Sequence, residues 1–162
     1  MQNKIIVKDN FLPKEEFNKI KRIMMSDNFP WFYKKSIATN SSLDGIFFVH
    51  IFHDNNRINS NYFDLVKPIL SLLNIKALIR AKANLYPGEN ILKEHEEHKD
   101  QEFNHCSMLF SLNTCNGYTK FYNGEKVNSI ENRAVFFDGS IVHRSTNCSD
   151  EKIRMNINFN YF

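Results

Sequence analysis

The sequence is poor in glycine and proline, and it has no long apolar run. Five glycines and four prolines in 162 residues are too few for a linker-rich or fibrous chain. No apolar run is long enough to cross a bilayer, and the apolar stretch near the N-terminus is too short for a signal-peptide core. These absences predict a single domain over 1–162 that is neither exported nor inserted in a membrane.

Cysteine is also scarce. The sequence has three cysteines, an odd number, at Cys106, Cys115 and Cys148, and no Cys-x-x-Cys motif occurs. A disulfide framework is therefore disfavoured, and a reducing cytoplasm fits best. The sequence further lacks a glycine-rich phosphate-binding loop and a Gly-x-Ser-x-Gly nucleophile elbow, which removes two common enzyme classes.

Apolar and aromatic residues are plentiful, at 42% and 14% of the sequence. This content excludes an intrinsically disordered chain and is enough to bury one core. The formal net charge of +3 permits anionic partners, but it is well short of the charge of a protein that coats nucleic acid.

The apolar pattern predicts helices early in the chain and strands afterwards. Ile5 and Val7 indicate a short strand, and helical spacing predicts one helix over about 13–25 and another over about 63–73. Residues 28–33 form a predicted aromatic turn, followed by a loop. Runs rich in β-branched and aromatic residues predict strands over 45–53, 77–86, 105–113, 118–122, 133–137 and 153–161. This order indicates an α+β, mainly β domain with helices packed on one side of a sheet or barrel.

Polar and apolar residues alternate in two of these strands, and period 2 places each set on its own face. The polar residues are Arg80, Lys82, Asn84 and Tyr86 in one strand and Arg154, Asn156, Asn158 and Asn160 in the other. Alternation alone favours a half-exposed sheet with its polar face in water. The alternative is that both polar faces line a cavity inside an open barrel.

The most informative segment for chemistry contains His98 and Asp100, which point the same way if the segment is extended. His143 can supply a third ligand. Two imidazoles and one carboxylate form the facial triad of non-haem Fe(II) oxygenases, which leaves the opposite side of the metal open. Arg154, on the polar face of the last strand, can clamp a carboxylate with two hydrogen bonds. A dicarboxylate such as 2-oxoglutarate would then chelate the metal at one end and reach Arg154 at the other.

Two other ligand sets are open at this point. His95 and Glu97 form a second His-x-Glu pair that can replace His98 and Asp100. A zinc site could instead combine His95, His98, His105 and Cys106. The zinc set lacks finger spacing and leaves His143 and Arg154 without a role, so it ranks below the iron site. His50, His53 and His105 are otherwise predicted to be structural or surface histidines.

Several segments follow one another in a familiar order. They are Asp9–Pro13, Asn84–Gly88, His98-Lys99-Asp100, Leu112–Phe121, Val135–Asp138 with His143, and Arg154-Met155-Asn156. The third is a His-x-Asp motif, and the fourth is similar to a Leu-Asn…Gly-Gly-x-Thr-x-Phe hairpin. Together they resemble the 2-oxoglutarate/Fe(II)-dependent dioxygenases, in particular the compact prolyl-4-hydroxylase-like branch that is also common in bacteriophages. The resemblance spans nearly the whole chain.

The resemblance implies a double-stranded β-helix, a cupin-like jelly roll with N-terminal support helices. It implies Fe(II), 2-oxoglutarate and O2 as cofactor and co-substrates, with decarboxylation to succinate and CO2. Carried over by position, the iron ligands and catalytic residues are His98, Asp100 and His143. Arg154 would bind the distal carboxylate of 2-oxoglutarate. Tyr86, Asn84 and Asn156 are expected to line the co-substrate pocket, as is Asn158.

Two positions depart from the family pattern. Ser111 stands where a tyrosine often precedes the Leu-Asn pair, so one co-substrate hydrogen bond must be absent or supplied by another residue. Asn116 replaces the first of the paired glycines, and asparagine tolerates left-handed turns.

The substrate is not readable from the motifs. The resemblance favours a prolyl or other amino-acid side chain in a protein or peptide. A small free metabolite ranks second. A nucleobase ranks third, since no basic stripe with interleaved aromatic residues supports it. A different class of function, a non-catalytic barrel that binds a metal or peptide, is disfavoured by the intact triad and arginine. Specificity is expected from the loops 34–44, 54–61 and 88–97.

Overall fold

Antiparallel strands form most of the molecule. The computed structural model describes residues 4–35 and 46–162, and this part of the chain contains eleven strands. They are β1 (Ile6–Lys8), β2 (Phe32–Lys34), β3 (Phe47–Asp54), β4 (Arg57–Ile58), β5 (Leu78–Pro87), β6 (Cys106–Ser111), β7 (Tyr118–Phe121), β8 (Lys126–Asn128), β9 (Arg133–Asp138), β10 (His143–Ser145) and β11 (Ile153–Tyr161). Most of the predicted loop 34–44 lies outside the described residues.

The strands form two sheets. An eight-stranded sheet has the order β1-β9-β6-β11-β5-β3-β2, with β4 paired to β3, and a three-stranded sheet has the order β10-β7-β8. Leu109, Val135 and Phe137 of the large sheet pack against Phe121 and Val127 of the small sheet. The two layers make the predicted double-stranded β-helix, in which a pocket can lie between the sheets.

The helices cover the other face of the large sheet. Helix α1 (Lys14–Met24) buries Phe17 and Ile20 against Phe110 of β6 and Ile157 of β11 in one core. This side is apolar because β5 and β11 direct most of their apolar residues toward the helices, as β6 does with Met108 and Phe110. In the described part of the chain, no helix is long and apolar enough to span a membrane.

The predicted helix over 63–73 is shorter than expected. The structure has a 3₁₀ turn at Phe63–Val66 followed by helix α2 at Lys67–Leu70. Pro68 lies in the first turn of α2. Proline has no N–H to donate to the preceding turn, so it starts a new helix better than it continues an existing one.

Strands β2, β4, β8 and β10 were not predicted, and β4 lies within the predicted loop 54–61. Each has two or three residues, which is too short to show a clear period of 2. Phe32 and Tyr33 of the predicted aromatic turn therefore lie in β2, where they pair with Val49 and Phe48 of β3. Pairing with a longer neighbour defines these short strands.

We expect Phe110→Ala to lower the free energy of unfolding by about 3–5 kcal/mol, because it leaves a cavity in the main core. Phe110 is fully buried, with edge contacts to Phe11 and Phe17. Denaturant unfolding followed by circular dichroism measures the change. Phe32→Ala is the matched control, since Phe32 is 59% exposed and its removal should change stability little. Equal losses in both variants would contradict this assignment of the core.

Candidate metal centre and anion pocket

Three predicted ligands meet in a pocket between the two sheets. His98 and His143 form an antiparallel bridge in which each backbone N–H donates to the other's carbonyl at 2.9 Å. The backbone N–H of Asp100 donates to the carbonyl of Gly139 at 3.1 Å. One ligand atom from each of His98, Asp100 and His143 lies within 4.8 Å of the other two. This spacing suits one metal ion held by two imidazoles and a carboxylate.

Both histidine rings are oriented for metal binding. Nδ1 of His143 lies 2.9 Å from the carbonyl oxygen of Ile141, and Nδ1 of His98 lies 3.3 Å from that of Glu96. A carbonyl oxygen only accepts, so Nδ1 carries the hydrogen in each ring and the lone pair is on Nε2. Burial, and then the neighbouring His143, lower the pKa of His98 to about 4. The His98 ring is therefore neutral near pH 7, as a metal ligand must be.

The carboxylate of Asp100 is held by side chains from three strands of the large sheet. Its Oδ1 accepts from Nη2 of Arg80 at 3.0 Å and from Nδ2 of Asn158 at 2.9 Å. Its Oδ2 accepts from Oγ of Ser107 at 2.8 Å and from Nδ2 of Asn160 at 2.9 Å. Burial alone would raise the pKa of Asp100, but the neighbouring His143 and Arg80, together with the hydrogen bonds from the two asparagines, hold it below its usual range. The carboxylate is thus ionised and fixed in orientation.

The polar faces of β5 and β11 line this pocket. Lys82, Asn84 and Tyr86 come from β5, and Asn156 and Asn158 come from β11. Nδ2 of Asn84 donates to Oδ1 of Asn156 at 2.9 Å. The cavity interpretation is therefore confirmed, and the half-exposed sheet that alternation alone favours is wrong for these strands. The reason is the small sheet, which covers this face.

The rest of the pocket lining was not predicted. Thr119 and Ser145 come from the small sheet, and Phe47, Leu109 and Phe137 supply apolar walls. Thr119 is the threonine of the hairpin motif, and Ser145 lies two residues after His143 on the short strand β10. A period of 2 along that strand could have indicated Ser145.

Arg154 is a buried cation with neutral partners in the described part of the chain. It is 1% exposed, and it donates to the carbonyl of Thr146 at 2.8 Å and to Oγ1 of Thr119 at 3.1 Å. Its guanidinium carbon lies 5.7 Å from the ring centroid of Tyr86, and its Nε has no hydrogen-bond partner. A buried charge without a counter-ion is unfavourable. This end of the pocket therefore favours an anion.

Gly117 leaves the space that the side chain of Arg154 occupies. A Cβ at Gly117 would lie 2.6 Å from Cδ of Arg154 and 2.5 Å from the carbonyl oxygen of Asn147. Glycine is the residue that permits so close an approach. The second glycine position of the hairpin motif thus serves packing around the arginine.

The alternative pair His95 and Glu97 lies outside the triad. Nδ1 of His95 is 2.9 Å from Oγ of Ser145, and its ring stacks on Tyr86. Glu97 forms an ion pair with Arg144. Among the residues described, the clusters with metal-ligand spacing are His98 with Asp100 and His143, and Cys115 with Cys148 and Asp150; neither includes this pair.

The proposed zinc set of His95, His98, His105 and Cys106 is wrong, because the structure does not bring these four together. His105 is buried, as are His50 and His53, so none of the three is a surface residue. Nε2 of His105 contacts Asn160 and Ser107, the two side chains that hold one oxygen of Asp100. His105 therefore supports the carboxylate from behind.

Glu94 fastens the segment that carries His98 to the small sheet. Its carboxylate accepts from the hydroxyl of Tyr118 at 2.7 Å, from Nζ of Lys120 at 3.1 Å and from Nη1 of Arg144 at 3.2 Å. The hydrogen bond from Tyr118 contributes most to lowering the pKa of Glu94 to about 2. The end of loop 88–97 is therefore anchored beside the triad.

Solved structures with the same architecture align with nearly the whole chain. A prolyl hydroxylase from Trichoplax adhaerens, in complex with a hypoxia-inducible factor peptide, is 18% identical, with a TM-score of 0.71 over 99% of this chain and 84% of that one. The viral collagen prolyl hydroxylase of Paramecium Bursaria Chlorella virus-1 is 14% identical, with a TM-score of 0.61 over 96% and 94%. The chain has the fold of the 2-oxoglutarate/Fe(II) oxygenases.

The same fold occurs in enzymes of other reactions. The epimerase SnoN from nogalamycin biosynthesis, solved with Fe3+, α-ketoglutarate and a nogalamycin compound, is 11% identical, with a TM-score of 0.68 over 99% of this chain and 79% of that one. No protein-family model and no curated protein matches the sequence.

We expect His98→Ala and His143→Ala to weaken binding of one divalent metal by at least about tenfold, since each removes an imidazole donor. His95→Ala is the matched control, because its ring is bonded to Ser145, and it should retain wild-type affinity. Calorimetric titration of each purified apoprotein with Co(II) measures the metal affinity of the wild type and of every variant. If His95→Ala lost metal binding and His98→Ala kept it, His95 would replace His98 as the first ligand.

Proposed function

We propose that this protein is an Fe(II)- and 2-oxoglutarate-dependent dioxygenase. The observation that carries the proposal is one pocket with a His-Asp-His cluster and, on the face of β11 that lines it, a buried arginine without a carboxylate partner in the described residues. A dicarboxylate that chelates a metal through its keto-acid end would satisfy both features. The bound iron would supply O2 activation coupled to decarboxylation of 2-oxoglutarate to succinate and CO2.

His98, Asp100 and His143 would hold the iron. The four donors to Asp100 keep its carboxylate ionised, and the Nδ1–carbonyl contacts keep both rings in the tautomer that presents Nε2. Two imidazoles and one carboxylate would leave other coordination positions of the metal open for 2-oxoglutarate and O2.

Arg154 would bind the distal carboxylate of the co-substrate, and its Nε lacks a partner without one. Thr119, which accepts a hydrogen bond from Arg154, and Tyr86, whose ring lies next to the guanidinium, would complete that subsite. Thr119 thereby offers a hydroxyl in place of the tyrosine that is absent at Ser111. The apolar side chains of Phe47 and Phe137 would exclude water around the carbon chain.

The primary substrate we propose is a prolyl or other amino-acid side chain in a protein or peptide. The Trichoplax enzyme, solved with a peptide fragment, supports this class. A small free metabolite is the second candidate, supported by the SnoN complex with a nogalamycin compound. The fold alone does not choose between them. The free state of all three cysteines fits a reducing compartment such as the cytoplasm.

The decisive test is conversion of 2-oxoglutarate to succinate by anaerobically iron-loaded protein after exposure to O2. We expect slow turnover without added substrate in the wild type and at least about a hundredfold less in Asp100→Ala, which lacks the anionic ligand. Circular dichroism must show that the variant is folded. If Asp100→Ala leaves Arg80 buried without its partner and does not fold, His98→Ala replaces it. Near-normal succinate formation in a folded variant would overturn the ligand assignment.

Arg154→Met is expected to weaken 2-oxoglutarate binding without lowering the stability of the protein. Removing the guanidinium should weaken 2-oxoglutarate binding by about tenfold or more, since charge-assisted hydrogen bonds to the carboxylate are lost. It should leave the apoprotein's melting temperature unchanged or higher, because an apolar side chain of similar length replaces an uncompensated buried charge. The exposed Arg22→Met is the control for both measurements. An unchanged affinity for 2-oxoglutarate in Arg154→Met would show that another residue binds the distal carboxylate.

A further inference from the structure

Lys82 is a second cation in the pocket, and the co-substrate subsite does not use it. It lies on β5, in register with Ile51 of β3 on one side and Asn158 of β11 on the other. It lines the pocket beside His98 and Asp100. Its neighbour Arg80 is engaged by the carboxylate of Asp100 at 3.0 Å, but Lys82 has no ion-pair or hydrogen-bond partner for its ammonium group within residues 4–35 and 46–162.

The register places Lys82 away from the arginine end of the pocket. Arg154 pairs with Tyr86, Asn156 with Asn84, and Asn158 with Lys82, so Lys82 is four residues along β5 from the row of Arg154. At about 3.3 Å per residue, that separation is about 13 Å. Lys82 is therefore in the row of Asn158, whose amide holds Asp100.

Charge balance leaves Lys82 without a counter-ion even when the proposed ligands are present. The distal carboxylate of 2-oxoglutarate would pair with Arg154, and its other carboxylate would balance a divalent metal together with Asp100. Two positive charges then remain, on Lys82 and on Arg80, and only Arg80 has a carboxylate partner, the shared Asp100. Arg80 and Lys34 repel the charge of Lys82, and Asp100 and Asp54 attract it, but in the described residues neither carboxylate forms an ion pair with it. A cation in a partly desolvated pocket next to the reacting centre is a binding site for an anionic group.

The same wall carries a free acceptor. Nδ2 of Asn158 is fixed on the carboxylate of Asp100, which turns its Oδ1 the other way. That Oδ1 is buried, has no hydrogen-bond partner, and belongs to a side chain that is 6% exposed and lines the pocket. A buried unpaired acceptor beside an unpaired cation indicates that this wall receives a polar ligand.

We propose that Lys82 binds a carboxylate of the primary substrate and so selects an acidic substrate for oxidation. This inference rests on the proposed dioxygenase function. The carboxylate has two sources with the same chemistry: the α-carboxylate of a free amino acid, and the side chain of aspartate or glutamate in a peptide. Lys82 is accordingly a specificity-determining residue that distinguishes acids from their neutral amides.

The test compares matched acids and amides as stimulators of 2-oxoglutarate turnover. One arm uses the common free L-amino acids against their α-carboxamides. The other uses blocked peptides with aspartate or glutamate against the same peptides with asparagine or glutamine. We expect acids of one arm to stimulate succinate formation by the wild type at least about tenfold more than their amides. The arm that responds identifies the source of the carboxylate.

The role of Lys82 is then measured by binding, without turnover. Calorimetric titration of Zn(II)-loaded protein with 2-oxoglutarate present gives the affinity for the stimulating acid and for its amide. Lys82→Met should reduce the preference for the acid by about tenfold or more, because it removes the charged donor but keeps the side-chain length. Lys76→Met, which changes an exposed lysine before the same strand, should keep the preference.

The outcomes separate the two proposals. Absence of any iron-dependent conversion of 2-oxoglutarate by the wild type would reject the dioxygenase. Conversion without preference for acids over amides would overturn only the role of Lys82. An unchanged preference in Lys82→Met would do the same, and so would a loss of 2-oxoglutarate affinity in that variant as large as its loss for the acid.

Discussion

The buried carboxylate of Asp100 is the interaction on which the site depends. It joins the segment after β5 to three strands of the large sheet through Arg80, Ser107 and the asparagine pair of β11. An isolated buried carboxylate would be protonated or excluded, so the polar face of the sheet exists in part to keep it ionised. The same network fixes its direction relative to the histidine bridge. The metal cluster is thus a property of the sheet as much as of the His-x-Asp motif.

Arg154 shows the complementary principle at the other end of the pocket. Its charge is buried against neutral groups, and Gly117 provides the space that it occupies. A buried charge without a counter-ion lowers the stability of the protein, and an anion bound there would offset part of that cost. The charge of Arg154 thus has only neutral partners in the described residues, whereas the charge of Asp100 is compensated within the protein.

The sequence was informative where a pattern was long or chemically specific. The alternation in β5 and β11 predicted which residues share a face, and the His-x-Asp spacing predicted the cluster with His143. Alternation could not show that the polar face is covered, because the covering sheet consists of strands as short as His143–Ser145, whose signal is below detection. The apolar spacing of 63–73 did not reveal the break near Pro68, where the 3₁₀ turn ends and α2 begins. The burial of His105 behind Asp100 depends on contacts between distant segments, which no local pattern records.

The position of β11 has a consequence for how the protein is made. This strand follows the other described strands in the chain, yet it lies in the middle of the large sheet, between β6 and β5. During synthesis, β5 and β6 emerge with unpaired edges facing each other, and they cannot join until residues 153–161 have left the ribosome. Asn158 and Asn160, which orient the carboxylate of Asp100, are added at the same step. The candidate metal cluster therefore lacks part of its support until β11 is in place, and a metal ion would be held in its final geometry only after that step.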